Sequence, residues 1–205
     1  MEDFLANIYR VTIVDRQNKV DIPVGLNLLV RRICNSVLVN EEFDHSADVS
    51  VVFVDNLYIQ SLNKQYIGKD YPTDMLSFPT SEDGNYEINP DTGAKILGDI
   101  FLSVEKAAEE IKIDNSSFEG KIMYWTAHSL LHLLGYDHEK SQMDDLRMRE
   151  ISEKVVSLVG DPHARYVIDT RDVFSIGNRV DGRKRGNAKR RSAQNSRDER
   201  SLRSL

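Results

Sequence analysis

The stretch SSFEGKIMYWTAHSLLHLLGYDH (116–138) decides the fold of this chain. Residues 116–134 are the most apolar of the segments with helical spacing, which predicts a helix at the centre of the molecule. Gly135 is expected to end this helix, because glycine readily adopts the positive φ angle that turns a chain back at a helix C-terminus. The rest of the chain should therefore pack around this helix and the turn after it.

Three of the five histidines lie in the second half of this stretch. His128 and His132 are four residues apart, so in a helix their side chains project from one face, one turn apart. The return of the chain at Gly135 can bring His138 to the same point. A single histidine on an apolar face is usually a core residue, but three with a helix-breaking glycine between the second and third favour a metal site.

A metal ion held by three imidazoles keeps one coordination position open. Zinc in such a site lowers the pKa of a bound water from about 15.7 to about 7 and polarises a carbonyl or phosphoryl oxygen. The predicted reaction is therefore metal-assisted hydrolysis of a peptide bond or a phosphodiester. The spacing also matches the extended zinc-protease pattern, but that pattern needs a glutamate where this chain has Ser129, which makes proteolysis the weaker interpretation.

The remaining sequence alternates between strand and helix patterns. Gly, Pro, Asn and Asp crowd residues 81–93, which are predicted to form an exposed loop. The interleaved order of the elements predicts a single α/β or α+β domain. The predicted strands are 5–14, 49–55, 74–78 and 99–104, and the predicted helices are 21–39, 56–66, 104–113, 116–134 and 144–159.

Charge is unevenly distributed along the 205 residues, whose formal net charge is −6. Residues 161–205 carry 12 Lys and Arg against 6 Asp and Glu, whereas residues 1–160 carry 15 against 27. An acidic body with a basic tail is compatible with a nucleic-acid partner, although the overall charge alone would argue against one.

Several other classes of protein are excluded by composition. Cys34 is the only cysteine, so neither an internal disulfide nor a cysteine-based zinc finger can form. No apolar run approaches the roughly 20 residues of a membrane helix. The acidic start MEDFLANIYR lacks the order of a signal peptide, so the expected location is the cytoplasm.

The histidine stretch and two further blocks resemble the YbeY family of bacterial metal-dependent endoribonucleases. The family motif H-G-x-L-H-L-x-G-Y-D-H matches residues 128–138 except at Ser129. The family block L-N-x-x-Y-R-x-K-D-x-P-T-D-V-L-S-F-P is similar to LNKQYIGKDYPTDMLSFP (62–79), and a third block, G-D-I before a strand, is found at 98–100. The blocks occur in the family order, and the resemblance covers roughly residues 10–160.

The resemblance implies an α+β fold, with a mostly parallel four-stranded sheet, about five helices and a metal site in a cleft. It implies one Zn²⁺ per chain, held by His128, His132 and His138, and single-stranded RNA as substrate. The implied role is late 16S rRNA 3′-end maturation and 70S ribosome quality control. The implied partners are the rRNA precursor and the small ribosomal subunit with its proteins. Neither a membrane nor DNA is an expected partner. Two alternatives stay open: a zinc peptidase with an unidentified base, and a non-catalytic ribosome-assembly factor with a structural zinc.

Three further residues are candidates for the cleft. Asp74 is expected to orient the substrate or a metal ligand, although a hydrogen-bonding turn explains it equally well. Ser77 is expected to line the cleft. The family arginine, important for activity, corresponds to Ile67 here, which cannot grip phosphate, and we expect Lys69 to supply part of the missing charge.

The domain organisation follows from these patterns. Residues 1–160 are predicted to form the endoribonuclease domain, residues 161–177 a connecting segment, and residues 178–205 a basic, disordered tail. The run GRKRGNAKRR (182–191) is either a solvated tail or a nonspecific RNA arm, with equal weight.

Overall fold

The computed structural model describes residues 7–81, 83–138 and 141–160. Within them, five helices accompany one mixed sheet, and the second half of the chain forms three strands followed by three helices, which confirms the α+β prediction with its five helices. The predicted connecting segment and basic tail, residues 161–205, lie outside the described residues. The strands are β1 (Tyr9–Asp15), β2 (Ala47–Val54), β3 (Met75–Pro79), β4 (Glu87–Ile88) and β5 (Lys95–Ser103), and the helices are α1 (Leu26–Asn40), α2 (Asn56–Leu62), α3 (Val104–Asp114), α4 (Phe118–Leu133) and α5 (Gln142–Gly160).

The strands form one mixed sheet in the order β1-β2-β5-β3, with β4 paired to β5. β1, β2 and β5 are parallel, whereas β3 and β4 run antiparallel to β5. The four predicted strands all exist, and β4 is the one strand among the described residues that was not predicted. That strand consists of two exposed residues inside the predicted loop 81–93, so it has no apolar alternation that could have revealed it.

The main core lies between one face of the sheet and the helices α1, α4 and α5. α4 packs against α1, α3, α5, β3 and β5, and it is buried on nearly all sides from Ile122 onward. This burial confirms the predicted central position of the helix. Cys34 of α1 is part of the same core, and burial raises the pKa of its thiol to about 12.

The edge strand β3 is drawn tightly against β5 at Gly98. This residue has a φ angle of +141°, and a Cβ atom placed on it would lie 2.2 Å from the carbonyl oxygen of Phe78. Only glycine allows the two backbones to approach this closely. The G-D-I block therefore fixes the position of β3, the strand that begins beside the histidine site.

α2 continues directly into a π-helical segment, Asn63–Ile67, which ends at Gly68 with a φ angle of +82°. Segments of this kind are rare and frequently occur at functional sites. The chain then passes through residues 69–74 into β3. In the part of the chain that the structure describes, no helix is long and apolar enough to cross a membrane.

Candidate metal centre

The end of α4 and the turn after it bring the three histidines together. His128 and His132 project from successive turns of the helix. After Leu134, the amide of Gly135 donates to the carbonyl of His132, and the amide of Tyr136 donates to the carbonyl of Leu131. With Gly135 at a φ angle of +88°, this double hydrogen bond is a Schellman C-cap, which folds the chain back toward the helix.

The three imidazole rings form a nearly equilateral triangle. Their centroids are 4.9 Å apart for His128 and His132, 5.3 Å for His128 and His138, and 5.0 Å for His132 and His138. One nitrogen of each ring lies within 4.8 Å of the others. The structure thus places the three predicted metal ligands around one point, as the spacing of the sequence suggested.

The orientation of the rings fits a metal site. Nδ1 of His132 lies 3.0 Å from the carbonyl oxygen of Tyr136, which can only accept, so in the neutral ring Nδ1 carries the proton and Nε2 keeps a lone pair for a ligand. The His128 ring lies parallel to Tyr124, with centroids 6.2 Å apart. Its Nδ1 is buried and has no hydrogen-bond partner within the described residues, a costly arrangement for a ring that binds nothing.

The electrostatic surroundings of the triangle favour the neutral form of His128. The pKa of His128 is lowered to about 4, mainly by burial and then by the neighbouring His132 and His138. The ring is therefore neutral at pH 7, which is the form that coordinates metals. Two carboxylates, Asp74 from the start of β3 and Asp145 from α5, act on His128 in the opposite direction, so negative charge lies close to the triangle.

The other predicted site residues are placed differently. Asp74 is close enough to influence His128, and its Oδ1 accepts hydrogen bonds from the Thr73 hydroxyl and the Met75 amide, both at 2.9 Å. It is thus both a turn residue and a neighbour of the site. Ser77 lies on the face of β3 that carries Met75, toward α4, and is half-buried. Lys69 is exposed after the π-helical segment, and its backbone amide donates to Asn63.

Ser129, which stands where the zinc-protease pattern needs a glutamate, has a packing contact in the structure. Ser129 is fully buried, and its hydroxyl donates to the Met75 sulfur at 3.3 Å. A side chain in this position packs against β3 and faces away from solvent. The structure therefore gives position 129 a packing role and provides no general base there.

Three neighbours of the site were not found from the sequence. Tyr124 lies one turn before His128 on the same helix, a spacing that could have revealed it. Tyr136 acts on His132 through its backbone carbonyl, so its side-chain type carries no signal for this contact. Asp145 reaches the site from another helix, and only the tertiary fold brings it there.

This fold and site define an α+β protein with three converging imidazoles that could hold a metal ion. The family model Endoribonuclease YbeY matches residues 12–160. Endoribonuclease YbeY of Thermoanaerobacter sp. (strain X514) is 45% identical over 153 residues, which cover 72% of this chain and 95% of that protein. Endoribonuclease YbeY of Alkaliphilus oremlandii (strain OhILAs) is 43% identical over 137 residues, which cover 66% and 89%. The chain belongs to the Endoribonuclease YbeY family.

A solved structure is also similar. The solution structure of TM1509 from Thermotoga maritima is 25% identical and aligns with a TM-score of 0.48, covering 73% of this chain and 88% of that one.

Proposed function

We propose that this protein is a metal-dependent hydrolase that cuts single-stranded RNA internally. The observation that carries the proposal is the convergence of His128, His132 and His138, with ligand nitrogens within 4.8 Å of one another, in a chain of the Endoribonuclease YbeY family. Family membership supports the endoribonuclease class, and the open triangle of imidazoles supports a hydrolytic metal centre.

Zinc suits a set of three imidazoles with one open position, and one ion per chain would be held by the three histidines. When bound, such an ion supplies Lewis-acid polarisation of a phosphoryl oxygen and a hydroxide nucleophile at neutral pH. The Tyr136 carbonyl holds His132 in the tautomer that coordinates through Nε2.

Residues outside the triangle would handle the substrate. The Asp74 carboxylate is fixed by Thr73 and Met75, so it can orient a water or a ribose hydroxyl beside the metal. Ser77 would line the cleft on the α4 side of β3. Lys69 would attract the phosphate backbone as a point charge where the family arginine is replaced by Ile67.

The resemblance of the three sequence blocks supports a cellular role. We propose that the substrate is an rRNA precursor and that the activity serves late 16S rRNA 3′-end maturation and 70S ribosome quality control. The small ribosomal subunit and its proteins would be the partners, and the cytoplasm the location. The basic residues beyond 160 would add a nonspecific contact to RNA.

The test combines metal content with cleavage. Purified full-length protein is analysed for bound metals, and labelled single-stranded RNA, duplex RNA and a peptide are offered with and without a chelator. We expect about one zinc per chain and chelator-sensitive cleavage of single-stranded RNA alone. His132→Ala should lose both, because it removes one of three ligands.

His45→Ala is the matched control, since His45 is an exposed histidine outside the triangle. It should retain metal and activity. Cleavage of the peptide would favour the peptidase alternative. Failure of the wild type to cut any substrate while holding stoichiometric zinc would favour the assembly factor with a structural ion.

A further inference from the structure

The second face of the sheet, opposite the main core, is only partly covered by the described helices. α2 packs on one part of it, through a small cluster formed by Val52, Val54 and Ile59 with Leu76 and Phe101. Strand register places Thr12, Ser50, Asp99 and Phe78 side by side across β1, β2, β5 and β3 on this same face. Thr12 and Asp99 are exposed, so this row is open to solvent.

Four aromatic rings run along the border between α2 with its π-helical segment and this open row. Tyr58 stacks on Phe101 at a centroid distance of 6.2 Å and an interplanar angle of 20°. Phe101 meets Phe78 edge to face at 5.7 Å, and Phe78 meets Tyr66 edge to face at 5.0 Å. We call this series, Tyr58–Phe101–Phe78–Tyr66, the aromatic ladder.

The ladder is more accessible than a core cluster would be. Tyr66 is 58% exposed, although aromatic side chains normally bury their large apolar surface. The other three rings are half-buried. Aromatic rings presented on the open face of a sheet are the usual platform on which proteins stack the bases of single-stranded RNA.

The charges around the ladder favour bases over phosphates on the face itself. Asp99 lies directly opposite Phe78 in the strand register and would repel a phosphate, but its carboxylate can accept from a base amino group. Positive charge lies at the ends of the ladder. Arg16 donates to the Tyr58 hydroxyl at 3.3 Å, and Lys69 follows the segment that carries Tyr66.

We infer that the aromatic ladder is a stacking platform for nucleobases of single-stranded RNA, with Tyr66 as its exposed end. Bases would lie on Tyr66 and Phe78, a base edge would meet Asp99, and the phosphates would follow Arg16 and Lys69. The platform is on the opposite side of the sheet from Met75 and Ser77, so it holds RNA outside the histidine triangle. This inference rests on the proposed function, which supplies the RNA.

Binding tests separate stacking from simple apolar contact. Full-length protein carrying His132→Ala, which should bind RNA without cutting it, is titrated with a labelled single-stranded RNA. In this background Tyr66→Phe keeps a ring, whereas Tyr66→Leu keeps apolar area without one. We expect Tyr66→Leu to weaken binding roughly fivefold or more and Tyr66→Phe to change it less than about twofold. Ile113→Ala removes an exposed apolar side chain elsewhere and should leave the affinity unchanged.

A spectroscopic readout reports the stack directly. RNA containing 2-aminopurine should be quenched by the Tyr66→Phe protein and clearly less by the Tyr66→Leu protein, and Phe78→Leu should behave like Tyr66→Leu. Equal affinities and equal quenching for the Leu and Phe variants at position 66 would overturn the platform. This outcome does not depend on cleavage. If the wild type cuts RNA and Tyr66→Leu binds RNA normally, only the platform is refuted. If Tyr66→Leu weakens RNA binding but the wild type cuts no RNA, only the proposed activity is refuted.

Discussion

Each histidine of the triangle is held by a different kind of contact. His132 is oriented by a hydrogen bond from its Nδ1 to a backbone carbonyl, and His128 by burial and by the parallel Tyr124 ring. His138 is delivered by the turn after Gly135. Because these contacts come from the chain itself, they reduce the ordering that metal binding would have to impose.

Asp74 is the carboxylate that can be tested most cleanly. Asp74→Asn keeps an acceptor for the Thr73 hydroxyl and the Met75 amide but removes the charge that acts on His128. We predict a loss of RNA cleavage of roughly a hundredfold, typical of a lost acid–base or positioning group, with metal content and melting temperature nearly unchanged.

Asp145→Asn serves as the comparison, because Asp145 also acts on His128 but is bound to Arg149 at 3.0 Å. It should affect cleavage less than Asp74→Asn. Equal losses for the two variants would show that only the local negative charge matters and would contradict a specific role for Asp74.

Position 67 allows a gain of function to be tested. Ile67 is 53% exposed at the end of the π-helical segment, so a longer polar side chain fits without disturbing the core. We predict that Ile67→Arg increases kcat for RNA cleavage several-fold, because a guanidinium can hold phosphate through two parallel hydrogen bonds. Cleavage kinetics at saturating RNA measure the effect.

Lys69→Ala tests whether Lys69 supplies the positive charge that Ile67 lacks. If Lys69 supplies the missing charge, its removal should weaken RNA affinity in the wild type, and Ile67→Arg should restore it in the double variant. Unchanged affinity and cleavage in Lys69→Ala would remove this lysine from the site.

At the level of secondary-structure elements, the features that could be predicted are those whose residues lie close together in the sequence. The spacing of His128, His132 and Gly135 lies within two turns of one helix, so the sequence alone predicted both the helix end and the convergence of rings. The aromatic ladder is different: Tyr58 of α2 and Phe101 of β5 are far apart in sequence and meet only where the helix packs on the sheet. A tertiary contact of this kind cannot be read from the periodicity of either segment.

The turn at Gly135 couples helix termination to the metal centre. A Cβ atom on Gly135 would meet nothing within 4 Å, so Gly135→Ala is penalised only through its φ angle of +88°. We predict a loss of about 1 kcal/mol in stability, measured by urea unfolding, because a left-handed conformation is costly for alanine. Metal affinity should fall as well, because the turn positions His138.

Gly93→Ala is a control with similar backbone strain, since Gly93 has a φ angle of +69° and open space around it, in the turn between β4 and β5. It should lose comparable stability and keep its metal affinity. An unaltered metal affinity in Gly135→Ala would mean that His138 reaches the triangle without this cap.

For the whole molecule, the distribution of charge separates two tasks. The match to the family model ends at residue 160, and the segment beyond it carries 12 Lys and Arg against 6 Asp and Glu. The acidic part holds the histidine triangle, where a metal and a few side chains would select the substrate. General attraction to RNA, which depends on positive charge, is better supplied by the segment outside it.

Truncation after Ile176 tests this division. It removes 10 Lys and Arg and 3 Asp and Glu, so we predict weaker RNA binding and a smaller salt dependence. For single-stranded RNA the slope of log affinity against log salt should become shallower by roughly 0.7 for each phosphate that the protein no longer neutralises. Cleavage at saturating RNA should persist, because the triangle is intact.

A full-length variant with Gln at the six Lys and Arg positions of residues 182–191 keeps the length of the tail and should lose much of the same slope. If both proteins bind RNA like the wild type at every salt concentration, the tail is a solvated segment and the acidic domain binds RNA unaided.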